Sequence, residues 1–144
     1  MRFSKSVKEI ISYSHEEAMR LGSNYINTEH LLLGMIKEND SSAVRLLKSL
    51  RININELRTS IENALKKTST NHHTGNLTIL NIKNFKANRL SLTDDAQNMN
   101  RESATEATAS KNSKVEIDHL MIAMLAEKSH TYPFIIEQLR KGLL

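Results

Sequence analysis

The sequence predicts an all-α domain built as a pseudo-twofold double repeat, and three observations carry that prediction. First, TEHLLLGMI at 28–36 recurs, weakened, as IDHLMIAML at 117–125, an offset of 89 positions. Second, the same offset aligns Glu17 with Glu106, Ala18 with Ala107, His30 with His119, Met35 with Met124 and Leu50 with Leu139, so each half is one copy of the same supersecondary unit. Third, the apolar residues around these segments fall at the 3, 4, 7 spacing of helix faces. A chain of 144 residues suits a single domain with one core, 1–144. It divides into repeat 1 at 3–66, a connector at 67–89 and repeat 2 at 90–144, each repeat holding about four short helices.

Ser4 is placed to cap the first helix, whose face is Val7, Ile10, Ile11, Ser14, Ala18 and Leu21, with Gly22 closing it in a left-handed turn. Asn24 to Asn27 read as a turn, Asn27 tolerating positive φ. Thr28 then caps a second helix that is apolar on nearly all sides, as expected of the buried centre of its half. Ser41 or Ser42 caps a third helix carried by Val44, Leu46, Leu47 and Leu50, and Asn53 or Asn55 a fourth carried by Leu57, Ile61, Ala64 and Leu65. Helices this short draw their stability from packing.

The connector shifts to Thr, Ser, Asn, His and Gly, and LTILNI at 77–82 permits a short extended piece. In the second copy Thr93 stands where Ser4 stands, and the helix from Asp94 to about Ala109 is thinly apolar. Ile117 to Glu127 repeats the second helix. Thr131-Tyr132-Pro133 opens a third with proline in its first turn, and Gly142 ends it. The second unit lacks a fourth helix of its own.

Composition narrows the function. The net charge of +4 divides as +2 over residues 1–66, +4 over 67–89 and −2 over 90–144, so the surplus lies in the connector, and no basic face with interleaved aromatics points to nucleic acid. There is no cysteine. Disulfides and thiolate metal sites are therefore excluded. No apolar run approaches ~18 residues and the N-terminus leads directly into a polar periodic segment, so neither a membrane span nor a signal peptide is expected, and cytoplasm is the default location.

Catalysis is not expected. The histidines 15, 30, 72, 73, 119 and 130 show no metal-ligand spacing, and neither a phosphate loop nor a nucleophile motif occurs, so no metal, cofactor or catalytic residue is assigned. His30 and His119 read as structural imidazoles bonding the turn before their helix. Glu29 and Asp118 place a carboxylate in the first turn of the repeated helix, which the dipole alone would favour. Beside them, helix N-termini at Ser4 and Thr28 offer amides to an anion. A carboxylate and an anion-holding helix end together suit a ligand with a guanidinium and a phosphate.

The stretch from Phe3 to Ile36, FSKSVKEIISYSHEEAMRLGSNYINTEHLLLGMI, resembles the first half of the Clp N-terminal double repeat, above all that of ClpC-type unfoldases. The second copy is similar but degenerate. The resemblance implies an all-α fold of eight helices that receives protein substrates and adaptor proteins for an unfoldase feeding the ClpP peptidase through its ATPase rings. It also implies recognition of phosphorylated arginine. Carried over residue by residue, the acidic position falls on Glu29 and Asp118 and the hydroxyl opening each repeat on Ser4 and Thr93, with Thr28, His30 and His119 in support. Taken repeat by repeat, Ser4 and Glu29 make one pocket, Thr93 and Asp118 the other. Here Ser4 stands for the usual threonine, Asn27 for the usual glycine, and Glu116-Ile117-Asp118 for Gly-Thr-Glu. Two other readings are an adaptor-docking or free-standing Clp-repeat protein without a phosphoarginine pocket and, behind it, a basic helical nucleic-acid binder.

Overall fold

A computed structural model describes residues 2–37, 41–71, 90–126 and 128–143, with backbone alone for 67–71 and 143. Repeat 1 contains β1 (Arg2–Phe3), α1 (Lys5–Arg20), β2 (Tyr25–Ile26), α2 (Thr28–Ile36), α3 (Ser42–Ser49) and α4 (Ile54–Asn71). Repeat 2 contains β3 (Ser91–Leu92), α5 (Asp94–Ala109), β4 (Lys114–Val115), α6 (Ile117–Met124) and α7 (Tyr132–Leu143). The fold is all-α, as the periodicity predicts, with four two-residue strands added among the described residues.

Local chemistry sets the helix ends. The Val7 N–H donates to Ser4 Oγ at 3.2 Å and the Ala96 N–H to Thr93 Oγ1 at 3.2 Å, so the two repeats open on equivalent caps. Ser41 caps α3 through the Val44 N–H, and Asn53 caps α4 through the Glu56 N–H. At the end of α1, Gly22 takes φ +72° while the Ser23 N–H reaches back to the Ala18 carbonyl at 2.8 Å. The matching turn after α5 keeps this geometry without glycine: Lys111 sits at φ +61° and the Asn112 N–H bonds the Ala107 carbonyl at 2.9 Å.

Several boundaries differ from the sequence reading. Asn27 has φ −90°, extended and unstrained, and is itself the cap of α2; Thr28 is the first helical residue. Helix α4 runs to Asn71, five residues into the stretch assigned to the connector, because nothing at 67–71 breaks a helix. The expected extended piece at 77–82 and the His72-His73 pair lie outside the described residues. Helix α6 stops at Met124. Gly142 lies inside α7 instead of ending it, and its missing side chain lets the helix backbone approach Arg51, where a Cβ would meet the Arg51 carbonyl.

The core joins both repeats, with Leu31, Leu32, Met35, Leu47, Leu57 and Ile61 from one and Leu120, Met124 and Ile135 from the other all buried. Helices α1 and α2 cross at Gly34, where an added Cβ would stand 2.5 Å from both the Ile10 carbonyl and Ser14 Oγ. Ser14 is fully buried because its hydroxyl bonds that same carbonyl at 2.7 Å, and Ser103 repeats the bond to Met99 at 2.9 Å.

The strands tie the halves together crosswise. β1 pairs in parallel with β4 (Arg2 with Lys114, Phe3 with Val115), and β2 with β3 (Tyr25 with Ser91, Ile26 with Leu92). Each repeat's opening strand thus pairs with the strand that precedes the second helix of the other repeat. A further bond runs from the Leu90 N–H to His15 Nε2 at 3.1 Å.

Candidate functional site

The crossed pairing decides which site residues meet. Beyond Phe3, the Ser4 N–H donates to the Val115 carbonyl at 2.8 Å, so the capped start of α1 lies where the chain turns into α6 and Asp118. Beyond Leu92, the Thr93 N–H donates to the Ile26 carbonyl at 3.0 Å, which sets the capped start of α5 beside Asn27, Thr28 and Glu29. Grouping by repeat is therefore corrected. Glu29 and Thr93 line one cleft of about 780 Å³, and Ser4 belongs to the junction that carries Asp118. Sequence reading could not see this, because two-residue strands have no period to read.

The carboxylates differ in their surroundings. Glu29 is half-buried, and burial raises its pKa above the ordinary carboxylate value; its own backbone N–H, the Thr28 hydroxyl (3.1 Å from Oε1) and His130 pull the other way, while Asp95 adds to the rise. Asp118 is exposed. Thr28 is buried and spends its hydroxyl on Glu29, so it orients the acid.

His30 and His119 fasten the starts of α2 and α6. The Asn27 N–H donates to His30 Nδ1 at 2.9 Å and the Glu116 N–H to His119 Nδ1 at 2.9 Å, satisfying donors that a helix start leaves over. Nδ1 accepts, so the ring proton of His30 is on Nε2 and donates to Ser23 Oγ at 3.1 Å. The Asn112 amide lies 3.2 Å from the same atom of His119. His30 is fully buried, which lowers its pKa to about 4 and keeps it neutral. Both imidazoles thus support the site from behind.

Three features of the large cleft escape the sequence reading. Asp95 faces it from the first turn of α5; Leu65, Pro133 and Phe134 form an apolar wall; and His130 Nε2 stands 3.5 Å from Asp95 Oδ2 at the rim. Asp95 was visible as an acid two residues after the cap, but only the fold turns it toward Glu29. A second cleft, of about 280 Å³, is lined by Ile117 at the start of α6 and by residues of α1, α2 and α3, Arg45 among them. Among the described residues no group of three His, Asp or Glu side chains is placed to hold a metal, and no helix is long and apolar enough to cross a membrane.

Residues 2–139 match the family model of the Clp repeat (R) N-terminal domain. Among curated relatives, the chain is 29% identical over 138 residues to the chloroplastic chaperone protein ClpC2 of Arabidopsis thaliana, covering 96% of this chain and 13% of that protein. It is 42% identical over 67 residues to the ATP-dependent Clp protease ATP-binding subunit ClpA homolog of Guillardia theta, covering 46% of this chain and 8% of that protein. The chain therefore spans a small part of the length of these relatives. Among solved structures, the Hsp104 N-terminal domain from Candida albicans superposes with a TM-score of 0.71 at 16% identity, covering 97% of this chain and 83% of that one. The N-terminal domain of the ClpD chaperone from Arabidopsis thaliana gives 0.68 at 15% identity, covering 96% and 87%. At such identities the likeness is one of fold, and it agrees with the family model over the same residues: this chain belongs to the Clp repeat N-terminal domain family.

Proposed function

We propose that the chain is the substrate- and adaptor-docking N-terminal domain of a Clp-class AAA+ unfoldase working with a ClpP-type peptidase, and that it reads phosphorylated arginine on proteins marked for degradation. The carrying observation is the crossed strand pairing, which sets a hydroxyl-capped helix end beside an acid-bearing one at each junction. A guanidinium pairs with the acid, Asp118 or Glu29, while the phosphate takes first-turn amides at Ser4 or Thr93. The chain acts by binding, and the power stroke and peptide cleavage belong to the ATPase rings and the peptidase.

Calorimetric titration of free phosphoarginine into the wild-type chain and into Glu29→Ala and Asp118→Ala tests this reading. Binding that is lost in at least one variant supports it. No heat with the wild type leaves the second reading, adaptor docking without a modified-arginine pocket. The surface of α3 and the turn after it favours that reading, since it exposes Leu46 and Leu50 beside Arg45, Lys48 and Arg51, and none of these three bases is in an ion pair among the described residues.

A further inference from the structure

The two junctions are equivalent in backbone and opposite in charge. The first turn of α1 carries no acid and presents Lys5 and Lys8 to solvent, and β1 and β4 add exposed Arg2 and Lys114 around Ser4 and Asp118. By contrast the first turn of α5 carries Asp94 and Asp95, and of these Asp95 shares the large cleft with Glu29. Among the described residues no lysine or arginine lines that cleft and His130 is its one ionisable base; Arg101 and Lys128 line the adjoining cleft, which shares Thr28, Asp95, Ser129 and His130 with it. A phosphate carries close to two negative charges near neutral pH. At Thr93 it would enter a helix end whose favourable dipole is offset by two carboxylates, with Glu29 opposite. A cation there meets two carboxylates instead.

The size and lining of the cleft add a second requirement. Its volume of about 780 Å³ exceeds what one side chain fills, and Leu65, Pro133 and Phe134 form a wall that no charged group satisfies. An apolar side chain adjoining the cation fits that wall.

We propose that the Glu29–Thr93 cleft binds an unphosphorylated arginine or lysine adjoined by an apolar side chain in a protein segment, with the cation between Glu29 and Asp95 and the apolar group against Leu65 and Phe134. Phosphoarginine is left to the Ser4–Asp118 junction. The inference rests on the docking reading above but not on its phosphoarginine part. A bound cation adds to the Thr28 hydroxyl and His130, which only partly offset the burial of Glu29 in the free chain.

The test uses the 144-residue chain and three acetylated ten-residue peptides that differ only in the residue before a central leucine: arginine, phosphoarginine or glutamine. Affinity is read by calorimetry and location by amide shifts in nuclear magnetic resonance spectra. The arginine peptide is expected to shift the amides of Glu29, Thr93 and Leu65, to bind at least tenfold more tightly than the glutamine peptide, and to lose at least tenfold in both Glu29→Gln and Asp95→Asn. Changing Asp94 and Asp95 together to lysine reverses the preference in favour of phosphoarginine. If the phosphoarginine peptide binds nowhere while the arginine peptide still fills the cleft, the phosphoarginine reading fails and this inference stands. The inference is overturned if the arginine peptide leaves the Glu29 amides unmoved, or if the phosphoarginine peptide binds that cleft as tightly as the arginine peptide.

Discussion

Thr93, which opens the second repeat, donates its backbone N–H to the carbonyl of Ile26 in the first repeat at 3.0 Å, and Ser4 mirrors it on Val115 at 2.8 Å. These two bonds fasten each capped helix end to the opposite repeat. Both donors lie at φ near −66°, an angle that proline shares. Thr93→Ala should therefore cost about 1 kcal/mol for the cap. Thr93→Pro should cost about 1 kcal/mol more for the lost inter-repeat bond. Urea unfolding of the pair measures the difference; equal stabilities would mean that the bond contributes nothing.

His30 makes stability depend on pH. Its folded pKa of about 4 lies below the unfolded value of 6.5, so the unfolded chain takes up a proton that the folded chain refuses. The contribution is complete above the unfolded value and declines as pH falls through the window down to the folded one. Over the whole window the loss is about 3 kcal/mol. Urea midpoints between pH 7 and pH 4, for the wild type and for His30→Asn, should show a slope that the variant lacks.

Gly34 is the contact point of α1 and α2, and alanine there must displace the Ile10 carbonyl or the Ser14 hydroxyl. Gly34→Ala should destabilise the fold by about 1–3 kcal/mol. Gly142→Ala should act similarly by lifting α7 from Arg51. Thermal melting compares them with Gly22→Ala, where the space is open and only the φ of +72° opposes a side chain, so that its cost is about 1 kcal/mol.

Lys111 occupies the left-handed position that Gly22 fills in the first copy. Lys111→Gly should stabilise the chain by about 0.5–1 kcal/mol, since the strain relieved exceeds the freedom given to the unfolded chain. An unchanged or lower urea midpoint would contradict this.

Much of the fold was legible because it rests on short-range signals. The helix faces, the caps at Ser4 and Thr93 and the left-handed Gly22 each depend on residues within a turn or two of one another, the 89-residue offset is self-similarity along the chain, and of the paired cap candidates the structure uses Ser41 and Asn53. The Asn27 and Gly142 readings went wrong for a related reason. Each residue type permits the conformation expected of it, but the cap geometry at Asn27 and the approach of Arg51 to Gly142 set its actual use.

The sequence by itself determined the helices, the repeat and the acid, hydroxyl and imidazole positions, since periodicity, capping and self-similarity are properties of the chain. Only the tertiary structure decided which of those residues share a cleft. The strand pairs that cross between repeats are two residues long, and their partners lie more than sixty positions apart, so no local pattern encodes them. They set Glu29 with Thr93 in one cleft, fasten Ser4 to Val115 just ahead of the helix that carries Asp118, and turn Asp95 from a helix-start acid into the neighbour of Glu29. Burial in that arrangement, which composition cannot supply, makes two corresponding carboxylates unlike.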